Sequence, residues 1–155
     1  MRAFRVQLSK TRHVVRRINN GTLNQNYDDM NQDSSPKTLA LMQRFNGAFS
    51  QHDPEALIDL IAPDCVMDHP SPPPNGTRYV GRAACLAFWQ DLARDRSGRF
   101  EIEDTVAMGE RGFILWRYCW GSSEAESVRG VNIVRVRDGQ IVEALGYLKA
   151  PAVGE

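Results

Sequence analysis

The sequence lacks the features of a membrane protein. No stretch approaches the ~18 apolar residues of a spanning helix, and the N-terminus has no apolar signal-peptide core. Cysteines are few: there are three, and none has the C-x-x-C spacing of a metal or redox site. An odd count favours reduced, buried thiols over disulfides. These absences predict a cytoplasmic protein with no membrane partner and no bound metal.

The chain also lacks an excess of charge. The formal net charge is +0, and charged residues make up 25% of the sequence, which is ordinary for a soluble globular domain. The charge gives no indication of a nucleic-acid partner. It is distributed unevenly, however, because a basic segment precedes the first acid, Asp28. That segment contains Arg2, Arg5, Lys10, Arg12, Arg16 and Arg17.

A length of 155 residues predicts one domain with a single core. Residues 1–35 hold the basic segment and then a polar run with few aliphatics, so we interpret them as a disordered tail. A nucleic-acid arm, a targeting peptide, or a true start at Met30 are the alternatives. Residues 36–150 form the predicted domain, and residues 151–155 form a C-terminal tail.

The first half of the domain has helical signals. Ser35-Pro36 is a capping signal, and Leu39, Met42 and Phe45 recur at helical spacing, which predicts a helix over residues 36–51. Asp53-Pro54 repeats the signal before a short second helix that ends at Pro63. A third helix is predicted over residues 81–94.

The second half has strand signals, because apolar and polar residues alternate. Asp138-Gly139 is a strong signal for a two-residue hairpin. Helices followed by such strands predict an α+β fold, with three helices packed on one face of a curved antiparallel sheet. The predicted strands are residues 64–69, 100–108, 113–120, 128–137 and 141–148.

Three polar residues are candidates for chemistry. Asn132 is the one polar side chain in an apolar row, so its amide needs a partner in the protein or in a ligand. His69 ends an apolar strand face that includes Met67, and a histidine there can move a proton near neutral pH. Asp68 is adjacent but points the other way in a regular strand, unless Pro70 kinks the chain.

An aromatic stripe at strand spacing is a candidate ligand wall. Trp116, Tyr118 and Trp120 would pack in the core or stack on an apolar ligand. Arg117 lies between them on the opposite face, where a buried guanidinium would need an acid or an anionic ligand.

Two segments resemble the nuclear transport factor 2-like superfamily. They are residues 43–70, which include Leu60-Ile61-Ala62-Pro63-Asp64 and Met67-Asp68-His69-Pro70, and Asn132-Ile133-Val134-Arg135-Val136 before the hairpin. The superfamily includes ketosteroid isomerases, SnoaL-like polyketide cyclases and limonene epoxide hydrolases. The resemblance implies a cone-shaped fold around a deep pocket, and a homodimer.

Residue by residue, the resemblance implies altered chemistry. The base position of ketosteroid isomerases looks like His69, the protonated-aspartate position like Asn132, and the tyrosine position like Phe45. An asparagine can still donate a hydrogen bond, but a phenyl ring cannot. The acid that cyclases carry on the final strand falls at Gly146. The Arg-x-Asp strand of epoxide hydrolases resembles Arg117-Tyr118-Cys119, which has no acid.

The sequence therefore supports two hypotheses. The first is a cofactor-free isomerase or lyase for an apolar carbonyl compound, with His69, Asn132 and Asp68 as catalytic candidates. Its ligand would contact Phe45, Met67, Trp116, Arg117, Tyr118 and Trp120. The second is a domain of the same fold that binds a small ligand, or a second copy of itself, without catalysis.

Overall fold

The computed structural model describes the backbone of residues 21–149 and the side chains of residues 34–149. Helix α1 spans Gly21–Ser50, so it begins well before the predicted start. Residues 21–35, which we expected in a disordered tail, are helical. Residues 1–20 and the predicted tail at 151–155 lie outside the described residues, and the domain boundaries stay a prediction.

The start of α1 was misplaced because Ser35-Pro36 does not cap it. A proline inside a helix removes one backbone hydrogen bond but need not end the helix. The Ser35 hydroxyl instead accepts a hydrogen bond of 2.7 Å from the Gly109 N–H. One turn later, the buried Thr38 hydroxyl donates to the Gly109 carbonyl over 2.7 Å. Both groups therefore anchor α1 to a turn of the sheet.

Two further helices begin where their sequence signals predict, but the first ends at Leu60, before the predicted end at Pro63, because Pro63 already lies within the first strand. Asp53 caps a 3₁₀ helix, Pro54–Leu60, by accepting the Ala56 N–H. Helix α2 spans Arg82–Arg94, which confirms the predicted third helix. Its buried face carries Cys85, Trp89 and Ala93, and this face packs toward the sheet.

Six strands form one sheet in the order β2-β1-β6-β5-β4-β3. All neighbours are antiparallel except β1 and β6, which run parallel. The sheet is therefore mixed, not purely antiparallel as predicted. The strands are β1 Ile61–His69, β2 Thr77–Val80, β3 Arg99–Met108, β4 Arg111–Cys119, β5 Ser127–Arg137 and β6 Gln140–Leu148.

Local sequence signals account for most strands but not all. The Asp138-Gly139 hairpin is confirmed, since both residues have positive φ as a two-residue turn of this kind requires. Strand β2 was not predicted, because its four residues follow the proline-rich loop directly. It forms by pairing with the end of β1, where Asp68 faces Arg78 and His69 faces Thr77.

The core lies between the inner face of the sheet and the helices. Met42, Leu57, Ile114 and Val134 are among its fully buried members. All three cysteines are buried and free, which confirms the prediction made for them. No helix in the described part of the chain is long and apolar enough to cross a membrane.

Candidate functional site

A cavity of about 410 Å³ lies between α2 and the inner face of the sheet. Its walls come from the carboxyl ends of β1, β4 and β6, the amino ends of β3 and β5, and one side of α2. These strand ends meet at one end of the sheet because β1 and β6 are parallel. A volume of this size suits a small organic molecule.

Five of the residues that the sequence predicts to be functional line this cavity with their side chains. Two are polar, His69 and Asn132, and three are apolar or aromatic. The apolar set is Met67, Trp116 and Tyr118.

His69 is fixed through one ring nitrogen. Its Nδ1 lies 3.2 Å from the Ser71 carbonyl oxygen and 3.3 Å from the Ser71 backbone nitrogen. Nδ1 can therefore donate to the carbonyl or accept from the N–H, depending on the tautomer. The ring also packs on Phe88 at 4.7 Å between centroids. Nε2 is the nitrogen left for a ligand, and it can carry a lone pair or a proton.

The loop after His69 is held by a glycine. Gly76 has φ +71°, and its N–H donates to the Pro72 carbonyl over 2.8 Å. A Cβ at this position would collide with the His69 carbonyl. The Ser71–Gly76 loop can therefore close onto the end of β1 only because residue 76 has no side chain.

Asn132 projects from the middle of β5 into the cavity. It pairs with Gly146 on β6 and Ile114 on β4. Among residues 34–149, no group hydrogen-bonds to its side-chain amide, although most buried polar groups are paired. The amide is thus a donor and an acceptor that faces the cavity without a partner among the described side chains.

Asp68 is arranged differently from its neighbour. It is among the residues that border the cavity, but its carboxylate binds the Arg78 guanidinium at 3.2 Å, with both side chains partly exposed. The regular alternation of β1 therefore persists to its end, and Pro70 does not turn the carboxylate inward. The ion pair with Arg78 makes Asp68 a weaker candidate for a proton carrier than His69, and its catalytic role stays a prediction.

The cavity walls are aromatic on two sides. Phe100 contacts Trp116 at 5.5 Å and Tyr118 at 4.8 Å between ring centroids. The Trp116 ring lies where a side chain on Gly130 would otherwise be. Its Nε1–H is buried and has no acceptor among the described residues. These contacts make a rigid, mostly apolar wall.

Three predicted ligand contacts lie outside this cavity. Phe45 is in the core and borders a separate space of about 40 Å³, which shares Trp116 and Asn132 with the main cavity. Arg117 projects from the opposite sheet face, where its Nε donates to the Ser127 hydroxyl over 2.9 Å. Trp120 follows the end of β4 and is half exposed. The sequence could not show where along the stripe the cavity ends.

The sequence does not predict the wall of the cavity that α2 forms. Phe88, Trp89 and Leu92 line the cavity, and their spacing had indicated only a buried helix face. Phe100 and Val128 were likewise interpreted as ordinary strand residues. Both residues lie at strand ends near His69, which would identify them as lining residues. Their closeness to His69 follows from the strand order, which the sequence does not show.

The electrostatics of the region are neutral. Among residues 34–149, no lysine or arginine lines the cavity, so these residues offer an anionic ligand no countercharge there. Burial raises the pKa of the Cys65 thiol, and the adjacent Cys85 raises it further; burial also raises the pKa of Cys85. Both thiols lie behind the wall and stay protonated at neutral pH. No cluster of His, Cys, Asp and Glu suited to a metal occurs among the described side chains.

Comparison with known families matches residues 42–144 to the SnoaL-like domain. The matched segment contains β1 and its His69, β5 and its Asn132, and most of β6. No curated protein matches the chain.

Solved structures agree with this match. A nuclear transport factor 2-like protein of unknown function from Mesorhizobium loti is 46% identical, with a TM-score of 0.70 over 75% of this chain and 93% of that one. A candidate ketosteroid isomerase from Kribbella flavida is 19% identical, with a TM-score of 0.65 over 79% and 84%. A candidate polyketide cyclase from Sinorhizobium meliloti is 21% identical, with a TM-score of 0.57 over 70% and 94%. The last two show a shared fold only.

Proposed function

Because this chain belongs to the family of SnoaL-like domains, with the cone-shaped α+β fold of nuclear transport factor 2-like proteins, we propose that it acts on a small apolar carbonyl compound. The reaction is an isomerisation or a related proton transfer, without a cofactor. One observation carries this proposal: His69 lines the same cavity as Asn132, whose amide has no partner in the part of the chain whose side chains are described.

In this mechanism His69 is the base. With its proton on Nδ1, donated to the Ser71 carbonyl, Nε2 has a lone pair that removes a proton from the carbon next to the carbonyl. The electrons of the broken C–H bond move to the carbonyl oxygen. With a β,γ-unsaturated ketone, Nε2–H then returns the proton to the γ-carbon while the C=C bond moves into conjugation with the carbonyl, so the step is redox-neutral and His69 is regenerated. With a ketone that lacks this bond, the proton returns to the α-carbon, and the reaction is seen as exchange with solvent.

Asn132 stabilises the charge that develops on oxygen. Its N–H donates a hydrogen bond to the ligand oxygen, and this bond strengthens as the oxygen becomes an oxyanion. The surrounding aromatic wall excludes water and strengthens the interaction. The described lining of the cavity contains no arginine or lysine, so neutral ketones are favoured over carboxylates.

The proposal is tested by isotope exchange. A panel of aryl ketones, including 2-acetylnaphthalene, is incubated with the protein in D₂O, and loss of the α-proton signal is followed by NMR. We expect exchange above the buffer rate with the wild type, and at least a hundredfold less with His69→Ala, since one general base contributes roughly 10²–10⁴-fold.

Asp68→Asn is the matched comparison for His69→Ala. It changes the adjacent residue, whose carboxylate binds Arg78, and we expect it to retain most of the exchange. Absence of wild-type exchange across the whole panel would refute the catalytic proposal.

A second candidate function is ligand binding without catalysis. It is favoured by Gly146, since the residues of the final strand that line the cavity are Ala144, Gly146 and Leu148 and none is an acid, and by Phe45, which offers no donor and lies outside the main cavity. The same panel separates the two functions. Saturable binding of a ketone by a wild-type protein that never exchanges its protons would support this candidate.

We also propose that the chain forms a homodimer through the outer face of the sheet. Two apolar rows cross β4, β5 and β6 on this face. Two salt bridges, Arg135–Glu143 and Arg129–Glu103, flank these rows. The face therefore carries positive and negative side chains, and a second copy would meet complementary charges. The rows are Leu115–Val131–Tyr147 and Phe113–Ile133–Leu145.

Light scattering after size exclusion tests the dimer. The wild type should elute at twice the monomer mass of 17.5 kDa. Leu115→Glu places a charge in the centre of the face and should give a monomer that remains folded, because Leu115 is partly exposed. A wild type that stays monomeric at high concentration would rule out this arrangement.

A further inference from the structure

Trp120 is unlike the other tryptophans of the chain. Trp89 and Trp116 are 5% and 8% exposed, whereas Trp120 is 51% exposed. An indole is the largest apolar side chain, and its open face can stack on an aromatic ligand.

The position of Trp120 connects it to the cavity. Residues two apart in a strand lie on one face, so Trp120 continues the inner-face row of Trp116 and Tyr118. The Tyr118 and Trp120 ring centroids are 6.3 Å apart and tilted by 38°. Because Phe100 contacts both Tyr118 and Trp116, four rings form a continuous path from the buried wall to solvent.

The backbone holds Trp120 in this place. Its N–H donates to the Glu126 carbonyl over 3.0 Å, which extends the pairing of β4 and β5 beyond Cys119. Glu126 is itself fixed by a capping box, in which its carboxylate accepts the Ser123 N–H and hydroxyl at 3.1 and 2.8 Å. The indole is therefore presented from an ordered turn.

We propose that Trp120 is an outer subsite for the ligand of this cavity. This inference rests on the proposed function and narrows the ligand class. The carbonyl end lies inside, near His69 and Asn132, and a planar apolar extension leaves the cavity past Tyr118 and stacks on the Trp120 indole. The ligand is thus a neutral, elongated ketone with two or more separate or fused rings.

The test uses two ketones that share an acetyl group but differ in length, 2-acetylnaphthalene and 4-acetylstilbene. Dissociation constants are measured by calorimetry for the wild type, Trp120→Ala and Trp120→Phe. We expect Trp120→Ala to weaken 4-acetylstilbene by about tenfold, the scale of one lost aromatic pair. It should change the affinity for 2-acetylnaphthalene by less than twofold, and Trp120→Phe should recover most of the loss.

A second readout locates the contact. Trp120 is the exposed tryptophan, so acrylamide quenching of fluorescence reports mainly on it, and 4-acetylstilbene should protect it more than 2-acetylnaphthalene does. Equal weakening of both ketones, or of neither, would overturn the subsite while leaving the cavity as a binding site. A shift of Trp120→Ala to a smaller oligomer would also overturn it, since the indole would then contact a second copy. If the wild type bound neither ketone, the proposed function would fail together with the subsite.

Discussion

Replacing Asn132 with leucine should stabilise the protein and abolish its function. Leucine has a similar shape and volume, so the packing of β5 is largely kept. The amide has no hydrogen-bond partner among residues 34–149, so its removal breaks no bond within that part of the chain. Stability and function should therefore change in opposite directions. This is expected where a polar group that lowers the stability of the fold is retained because the functional site needs it.

The magnitude follows from the environment of the amide. A fully buried polar group without a partner costs ~1–3 kcal/mol. Asn132 is half-buried and borders the cavity, so part of that cost is relieved by water. We expect Asn132→Leu to raise the free energy of unfolding by about 1 kcal/mol, at the low end of that range.

Thr38→Val is the matched control, because it also replaces a polar side chain with an apolar one of the same shape. The Thr38 hydroxyl is 1% exposed and donates to the Gly109 carbonyl over 2.7 Å. Its removal leaves that carbonyl unpaired, so the variant should lose ~1–3 kcal/mol. The two variants should therefore change the free energy of unfolding in opposite directions: Asn132→Leu removes an amide without a described partner, and Thr38→Val removes a hydrogen-bonded hydroxyl.

Urea unfolding measures both variants against the wild type at one pH, with the m-value checked for constancy. Ketone binding and α-proton exchange are measured on the same preparations. The reasoning is wrong if Asn132→Leu loses more than about 1 kcal/mol, as a paired core amide would. It is also wrong if the variant keeps full binding and exchange.

Two further predictions concern the loop and the core. Gly76→Ala should lose ~1–3 kcal/mol and weaken ketone binding, because positive φ is strained for alanine and its Cβ would meet the His69 carbonyl. Gly139→Ala, with φ +74° and open space around it, should show the strain without the loss of binding; equal effects on binding would contradict this. Because burial raises the pKa of Cys65, the unfolded chain releases the thiol proton first as pH rises above the ordinary value of 9.0. Stability should then fall by up to ~1.4 kcal/mol per pH unit for this group, and Cys65→Ala should flatten that slope in alkaline unfolding curves; an unchanged slope would refute the assignment.

The sequence predicted the elements whose causes are local. The Asp53-Pro54 cap, the apolar face of α2 and the Asp138-Gly139 turn each depend on residues a few positions apart. The fold class followed from their order. The predicted start of α1 is wrong because the cause there is not local: the Ser35 hydroxyl does not cap the helix but accepts a hydrogen bond from Gly109, far along the chain.

The site was less accessible because it depends on strand order and on where the strands end. Alternation correctly placed Met67 and His69 on one face of β1, and Asp68 on the other. It could not show that the cavity includes Tyr118 and stops before Trp120. That limit is set by the mouth of the cavity, which is formed by distant segments.

Gly146 on β6 explains why the site has this form. A Cβ on Gly146 would lie 2.9 Å from Pro70 Cδ and 3.4 Å from the Asn132 Oδ1, so any side chain there would crowd the loop that positions His69. An acid therefore cannot be placed at residue 146 by substitution alone, because Pro70 occupies its space. The glycine and the closed loop are two aspects of one arrangement. This arrangement leaves His69 and Asn132 in the same cavity, as the proposed reaction of a carbonyl compound requires.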